Sequence, residues 1–150
     1  MLIGEGILKI CTEDFFMASA GKLNRNILIN DSLQLNIKTA KLVNYIGHDG
    51  LMDFNINSFP KGVENNNIKV TVLACYSKIY FKKGILLTGA APYIWTTHLM
   101  APEAYTLHAI IDCWMRGRTG KDADEVAAQA YHKYQKCGIR GARNLFTTGY

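Results

Sequence analysis

The chain has 150 residues, 49% of them hydrophobic and 19% charged, which is typical of one globular domain over residues 1–150 and not of a disordered or fibrous chain. No apolar run approaches the roughly 18–20 residues of a membrane-spanning helix, and the first residues lack the basic and apolar regions of a secretory signal. The sequence therefore predicts a cytoplasmic protein without a membrane partner. Four scattered cysteines with no CxxC pair argue against a zinc ribbon and a disulfide framework.

The first third of the chain predicts one helix and one buried strand. Apolar residues recur at helical spacing over residues 6–20, with Ile7, Ile10, Cys11 and Phe15 on one face. Residues 24–36 are polar, and the apolar run 27–29 within them fits either a short edge strand or a loop. Residues 42–46 read as a buried strand closed by a glycine-rich turn, and residues 52–56 alternate with period two, which predicts a small strand or hairpin.

The remainder alternates strands and helices. The nearly continuous apolar run 70–74 predicts a strand buried on both faces that stops at Cys75. Residues 79–87 fit a short helix or an irregular link, and residues 93–97 predict a third core strand that ends at His98. Helices are then expected at 102–115, 122–137 and 139–146. This alternation predicts an α/β fold, a three-layer α/β/α sandwich with a mostly parallel sheet.

The start of the chain departs from this pattern. A doubly wound sheet usually begins with its central strand, whereas this chain begins with a predicted helix. Either residues 1–4 are a stub of that strand, or the chain lacks the first strand of a larger fold.

Reactive side chains follow all three predicted core strands: His48, Cys75 and His98. The carboxyl ends of parallel strands meet at one edge of the sheet, so these groups are expected to lie near one another. A thiol becomes a useful nucleophile when a base helps to form the thiolate, and histidine is the usual base near neutral pH. The glycines around His48 allow backbone N–H groups to approach a substrate oxyanion. The pattern predicts a Cys/His dyad for acyl transfer; the acidic candidates for orienting an imidazole are Asp49, Asp53 and Glu103.

Two of these strand ends resemble a known superfamily. The turn Tyr-Ile-Gly-His-Asp-Gly at 45–50, the predicted hairpin at 52–56 and the strand ending in Ala74-Cys75 resemble the caspase-like cysteine peptidases (caspases, metacaspases, gingipains and legumains). In that superfamily a strand ending in His-Gly precedes a hairpin and an apolar strand ending in Ala-Cys. Here Asp49 stands between the histidine and the next glycine. Residues 47–54 and 99–105 also resemble a set of bacterial proteins to which no activity is assigned.

The resemblance implies a caspase-like fold that lacks its first strand and a cysteine hydrolase, or a degenerate relative of one, that acts on a peptide or protein substrate. Cys75 would be the nucleophile and His48 the general acid and base. Backbone N–H groups of Cys75 and of the turn containing Asp49 and Gly50 would hold the oxyanion. His98 is a candidate third site residue. No cofactor is expected.

Two alternatives remain open. The first is a zinc site with an open position formed by His48, Cys75 and His98, although their spacing matches no short metal motif. The second is a non-catalytic binding module. Such a module would bind its partner through the basic residues of the last third of the chain: Arg116, Arg118, Lys121, Lys133, Lys136, Arg140 and Arg143. Charges of this kind more often lie on the solvent-exposed faces of helices. Nucleic acid is therefore not the favoured partner. The cysteines on predicted helices are interpreted as structural: Cys11, Cys113 and Cys137.

Overall fold

A four-stranded sheet organises the molecule. The computed structural model describes residues 3–150, with side chains from residue 6 onward. The strands are β1 (Asn26–Asn30), β2 (Leu33–Asn36), β3 (Leu42–Ile46), β4 (Lys69–Leu73), β5 (Ala91–Thr96) and β6 (Phe146–Thr147). The helices are α1 (Ile3–Ser19), α2 (Ser77–Thr88), α3 (Ala104–Met115), α4 (Gly120–Gln135) and α5 (Ile139–Leu145).

The sheet is mixed and mostly parallel, as the alternation of strands and helices predicts. Its order is β3-β4-β5-β6. The first three strands run parallel, with Ile46 opposite Leu73 and Val72 opposite Trp95. The short β6 pairs antiparallel with β5 through Trp95 and Thr147. The predicted α/β class is confirmed at this level.

Helices cover both faces of the sheet because its central strands are apolar on both sides. One apolar cluster joins α1 and α2 to the strands, and its aromatic rings pack edge to face or stacked, with Phe16 and Phe81 at 5.5 Å. A second cluster joins α3, α4 and α5 to the other face, and includes Ile110, Tyr131 and Phe146. No helix within residues 3–150 combines the length and the apolar character that crossing a bilayer requires.

Of the four residues expected on the buried face of the first helix, only Phe15 is buried. Ile7 and Ile10 are each 59% exposed, and Cys11 is also exposed. The buried residues of α1 are Thr12, Phe15, Phe16, Ala18 and Ser19. The two hydroxyls donate to backbone carbonyls one turn earlier, Thr12 to Leu8 and Ser19 to Phe15, at 2.8 Å each, which allows polar side chains inside the core.

The start of the chain and the segment after His48 also differ from expectation. Ile3 and Gly4 belong to α1 and so form no strand, whereas Met1 and Leu2 lie outside the described residues. Within residues 3–150, β4 is the only strand that pairs with β3. Residues 52–56 form no strand or hairpin; a 3-10 turn over Gly50–Met52 is followed by irregular chain. The run 27–29 lies in β1, which forms an antiparallel hairpin with β2.

Candidate functional site

His48 and Cys75 occupy equivalent positions at the carboxyl edge of the sheet. His48 lies two residues after Ile46, and Cys75 lies two residues after Leu73. Ile46 and Leu73 are paired in the parallel sheet. The N–H of Gly47 donates to the carbonyl of Leu73 at 3.1 Å, so the parallel register continues one residue past the end of β3. Neighbouring strands are about 4.8 Å apart, so the backbones that carry His48 and Cys75 leave the sheet side by side.

The end of β5 reaches the same edge. The N–H of Tyr76 donates to the carbonyl of His98 at 3.0 Å, which ties the turn after Cys75 to the residues after β5. The His98 ring lies 6.1 Å from the Tyr76 ring, and its Nδ1 hydrogen-bonds the Thr97 hydroxyl at 2.7 Å. His98 is exposed.

The imidazole of His48 is held by a carboxylate. Its Nε2 lies 2.5 Å from Oδ2 of Asp53, and both side chains are more than half exposed. The 3-10 turn sets this distance, because the N–H of Asp53 donates to the carbonyl of Gly50 at 3.0 Å. When Nε2–H donates to the carboxylate, Nδ1 is left to accept a proton. Of the acidic candidates, Asp53 is therefore the one that orients an imidazole.

Asp49 lies under this turn and is fully buried. Its Oδ1 accepts from the Leu51 N–H at 3.0 Å and caps the 3-10 turn, whereas its Oδ2 has no hydrogen-bond partner among the described residues. Burial raises the pKa of Asp49 to about 6, against the opposing effects of the Leu51 N–H and of His48. Near neutral pH this carboxyl is thus close to its titration range.

Gly50 is buried as well, and its small size has a packing reason. A Cβ at this position would lie 2.6 Å from the Phe54 ring and 3.1 Å from Leu8. The carbonyl of His48 accepts from the Tyr45 hydroxyl at 2.7 Å. These contacts fix the turn firmly; the oxyanion role of Asp49 and Gly50 stays a prediction.

The thiol of Cys75 is half-buried and faces the segment that follows β5. It donates to the carbonyl of Met100 at 3.6 Å, and within residues 3–150 no hydrogen bond joins it to His48 or His98. The next residue, Tyr76, has φ 49° and ψ 30° and is the N-cap residue that directly precedes α2. A bulky residue in this left-handed conformation costs about 1–3 kcal/mol and persists only where its surroundings impose it.

A buried hydroxyl pair imposes the conformation of this turn. The hydroxyl of Ser77 donates to the carbonyl of Val72 at 2.9 Å and lies 2.9 Å from the Thr96 hydroxyl, which in turn bonds the carbonyl of Ala74. Both side chains are fully buried. Ser77 and Thr96 were not predicted as site residues. Serine is common at the start of a helix and threonine at the end of a strand, and only the structure shows that these two positions are in contact.

The structure bears on the two alternative predictions, a zinc site and a basic binding surface. No three His, Cys, Asp or Glu side chains of the described part of the chain come together to hold a metal ion, so His48, Cys75 and His98 do not form a zinc site in this structure. Among the basic residues of the last third, Arg116 pairs with Asp112 and Arg143 with Glu125. Use of the others in binding a partner stays a prediction.

Cys113 and Cys137 are not among the residues that line the groove beside His48, whereas Cys11 lines that groove together with Gly47 and His48. Cys113 is buried in α3, Cys11 is exposed on α1, and Cys137 is exposed just after α4. Only Cys113 thus acts as an apolar core residue. The chain matches no protein-family model, and neither the curated proteins nor the solved structures contain a match to it.

Proposed function

We propose that this chain is a cysteine hydrolase of the caspase-like type that acts on a peptide or protein substrate. The observation that carries the proposal is the equivalent placement of His48 and Cys75, two residues beyond the paired ends of adjacent parallel strands. The order along the chain, histidine before cysteine, is that of the superfamily which the two motifs resemble.

The chemistry assigns a role to each group. The sulfur of Cys75 attacks the scissile carbonyl carbon while His48 accepts the thiol proton. His48 then donates that proton to the leaving amine as the C–N bond breaks and a thioester remains. Water attacks the thioester, His48 takes a proton from it, and the acid product leaves as the thiol is regenerated. Asp53 is a positioning residue that holds the imidazole and stabilises its charged form.

The side chains must turn for this reaction. The thiol gives up its bond to the Met100 carbonyl, a weak bond of 3.6 Å, and swings toward His48. The thiol faces Met100, on the side of the sheet that α3, α4 and α5 cover, whereas His48 lines a groove beside α1, so the two side chains have to meet beyond the end of the sheet. His48 is exposed and Cys75 is half-buried, so both side chains are open to solvent at this edge.

Alkylation kinetics test the dyad directly. Iodoacetamide labelling followed by mass spectrometry gives a rate for each cysteine in one sample, and the exposed Cys11 and Cys137 serve as internal references. We expect Cys75 to react at least tenfold faster than either, although it is less exposed. In His48→Asn, the Cys75 rate is expected to drop about tenfold or more while the rate of Cys137, which lies outside the groove that His48 lines, stays the same.

A library of fluorogenic peptides then tests hydrolysis, with Cys75→Ala as the inactive control. Asp53→Asn is expected to lower kcat/KM by 10- to 100-fold and to shift its pH profile, because the carboxylate stabilises the charged imidazole. A Cys75 that reacts no faster than Cys11, and whose rate ignores His48, would refute the proposed dyad.

A further inference from the structure

The outer face of α2 carries an apolar ridge that is open to solvent. Ile79 is 68% exposed, and Leu86, two helical turns later, is 52% exposed. Successive residues of a helix are rotated by about 100°, so residues seven apart lie almost in line along its axis. The opposite side of the helix packs against the core, where Phe81 and Ile85 are fully buried. Ile79 and Leu86 therefore point away from the core, and we call these two residues the α2 ridge.

Lysines flank the α2 ridge on both sides. The helical rotation places Lys82 on one side and Lys83 on the other, each within about 60° of the ridge. Both side chains are exposed. Lys78 lies further round on the side of Lys82, with its ammonium 5.3 Å from the centroid of the Trp95 ring. Among the described residues, none of these three ammonium groups forms a salt bridge, so the face is both apolar and positively charged.

The same surface continues to the end of the helix. Leu87, beside the ridge, is 47% exposed. The N–H of Gly62 donates to the carbonyl of Leu87 at 3.1 Å, so the exposed Lys61 lies next to the last turn of α2. A helix of this length spans about 18 Å, and lysines are thus spread along the whole apolar surface.

Few carboxylates compete for these lysines. No Asp or Glu occurs between Glu64 and Glu103, a stretch that contains α2 and the two strands beside it, β4 and β5. On α1 and the 3-10 turn, which also contact α2, Asp14 and Asp53 already have cationic partners. An anionic surface that approaches α2 therefore meets unpaired ammonium groups.

The shape of the surface favours one kind of anionic partner. Its shallow depression, of about 450 Å³, is lined by residues of α2 alone, so no second element forms a wall. A partner peptide or helix docks in a groove with walls, and nucleic acid requires cations at the centre of the contact, where this face has isoleucine and leucine. A bilayer surface accepts apolar side chains among its headgroups and offers phosphates around them. Lysine suits such a surface because its stem lies along apolar groups while the ammonium reaches the phosphates.

We propose that the outer face of α2 binds the surface of a lipid bilayer that contains anionic phospholipids, with the α2 ridge among the headgroups and the neighbouring lysines against lipid phosphates. The helix axis lies in the plane of the membrane in this arrangement. The expectation of no membrane partner considered only spanning helices, whereas a segment that lies on a bilayer needs a single apolar face. This attachment does not require Cys75 or His48 to be catalytic.

Flotation of the full chain with lipid vesicles tests the charges. We expect vesicles of phosphatidylcholine with about 30% phosphatidylserine to bind the chain at least tenfold more tightly than pure phosphatidylcholine, and added salt to reduce this preference. A lysine close to an anionic bilayer strengthens binding about fivefold, so Lys82→Gln combined with Lys83→Gln should weaken it about 30-fold. Lys133→Gln combined with Lys136→Gln removes two exposed lysines at the end of α4 and should weaken it less than threefold.

A second pair of variants tests the α2 ridge. Ile79→Gln combined with Leu86→Gln keeps helix-forming side chains and is expected to weaken binding to the anionic vesicles at least tenfold. Ile7→Gln combined with Ile10→Gln alters two side chains of α1 that are each 59% exposed, and should change binding less than threefold. A native chain that does not float with the anionic vesicles at about 1 mM lipid would overturn the proposal, as would a ridge variant that binds as tightly as the native chain.

Soluble polyanions distinguish a bilayer from other acidic partners. We expect polyglutamate and duplex DNA to bind the chain at least tenfold more weakly than the anionic vesicles at the same salt concentration. Equal or tighter binding to either polyanion, lost in the Lys82→Gln and Lys83→Gln variant, would show that the face binds an acidic protein or nucleic acid instead.

An environment-sensitive dye measures insertion of the ridge. Ile79→Cys in a Cys11→Ser, Cys75→Ser, Cys137→Ser background gives one accessible thiol, because the fourth cysteine is buried. A nitrobenzoxadiazole label at position 79 is expected to brighten and shift to the blue on anionic vesicles, whereas the same label in Ile7→Cys should not change. A label at position 79 that still reports water when the chain is bound would refute insertion of the ridge.

Discussion

Replacing Asp49 with asparagine should make the protein more stable at neutral pH and change the pH dependence of its stability. Asp49 is fully buried, one of its oxygens has no partner among the described residues, and burial raises its pKa to about 6. The substitution Asp49→Asn keeps an oxygen that can accept from the Leu51 N–H and removes the titration.

The magnitude follows from linkage between protonation and folding. The unfolded carboxyl has a pKa of about 3.9, so the folded state binds the proton more tightly. The resulting stabilisation is fully present below about pH 3.9 and is lost as the pH rises through about 6. A shift of about two pKa units corresponds to about 3 kcal/mol, of which about 2 kcal/mol is recovered between pH 8 and pH 4.5.

Urea unfolding of the native chain and of Asp49→Asn at pH 8 and pH 4.5 measures this directly. All other titrating groups are common to both proteins, and any fixed cost of the amide is the same at both pH values. We therefore expect the stability difference between variant and native chain to change by about 2 kcal/mol, with the variant favoured at pH 8.

Asp122 provides a control whose effect should not change between these two pH values. Hydrogen bonds from Thr119 lower the pKa of Asp122, so its contribution is present above the unfolded pKa of about 3.9 and is lost only at lower pH. Asp122→Asn should therefore destabilise about equally at pH 8 and pH 4.5. If the effect of Asp49→Asn were equal at the two pH values, burial of an ionisable Asp49 would be the wrong account of this turn.

Substitutions at four further positions test packing, helix capping and backbone conformation, and urea unfolding at neutral pH measures the effect of each. Gly84→Ala in α2 should lower the free energy of unfolding by about 1 kcal/mol or more. The added Cβ would lie 2.4 Å from the Phe16 ring, and this overpacking outweighs the gain in helix propensity. Gly141→Ala in α5, where the space around the Cβ is open, should instead raise the free energy of unfolding by about 0.5–1 kcal/mol. Thr119→Ala removes the capping box of α4 and should cost about 1 kcal/mol, most of which Thr119→Ser should restore. Lys136→Gly should stabilise by roughly 1 kcal/mol, because Lys136 is exposed at φ 54° just after α4.

The core strands were predictable because each is a short apolar run; β4 and β5 are almost fully buried, whereas β3 is an edge strand and is mostly half-buried, less than expected. The predicted strand at 42–46 coincides with β3, and β4 and β5 lie within two residues of their predicted bounds. Helix α2 was ambiguous because its outer face is also apolar: Phe81 and Ile85 are buried, whereas Ile79 and Leu86 are 68% and 52% exposed. Two residues are too few for β6 to leave a pattern.

The alternation of apolar and polar residues at 52–56 led to the wrong prediction of a strand or hairpin, because a 3-10 turn produces the same pattern here. Phe54 packs on Gly50 beneath the 3-10 turn, and Met52 and Asp53 point outward from the same turn. The placement of His48 and Cys75 at one sheet edge could be anticipated from the strand order. The choice of Asp53 over Asp49 could not, since it depends on which carboxylate the turn buries.

The two apolar clusters also differ in when the growing chain can complete them. The cluster under α1 and α2 draws its buried residues from positions 15–95, whereas the cluster under α3, α4 and α5 runs from Leu73 to Phe146. At synthesis rates of about 5–20 residues per second, roughly 3–10 s separate residue 95 from residue 146. For that interval one face of the nascent sheet, with Leu73 and Ile94, is open to chaperones and to other nascent chains.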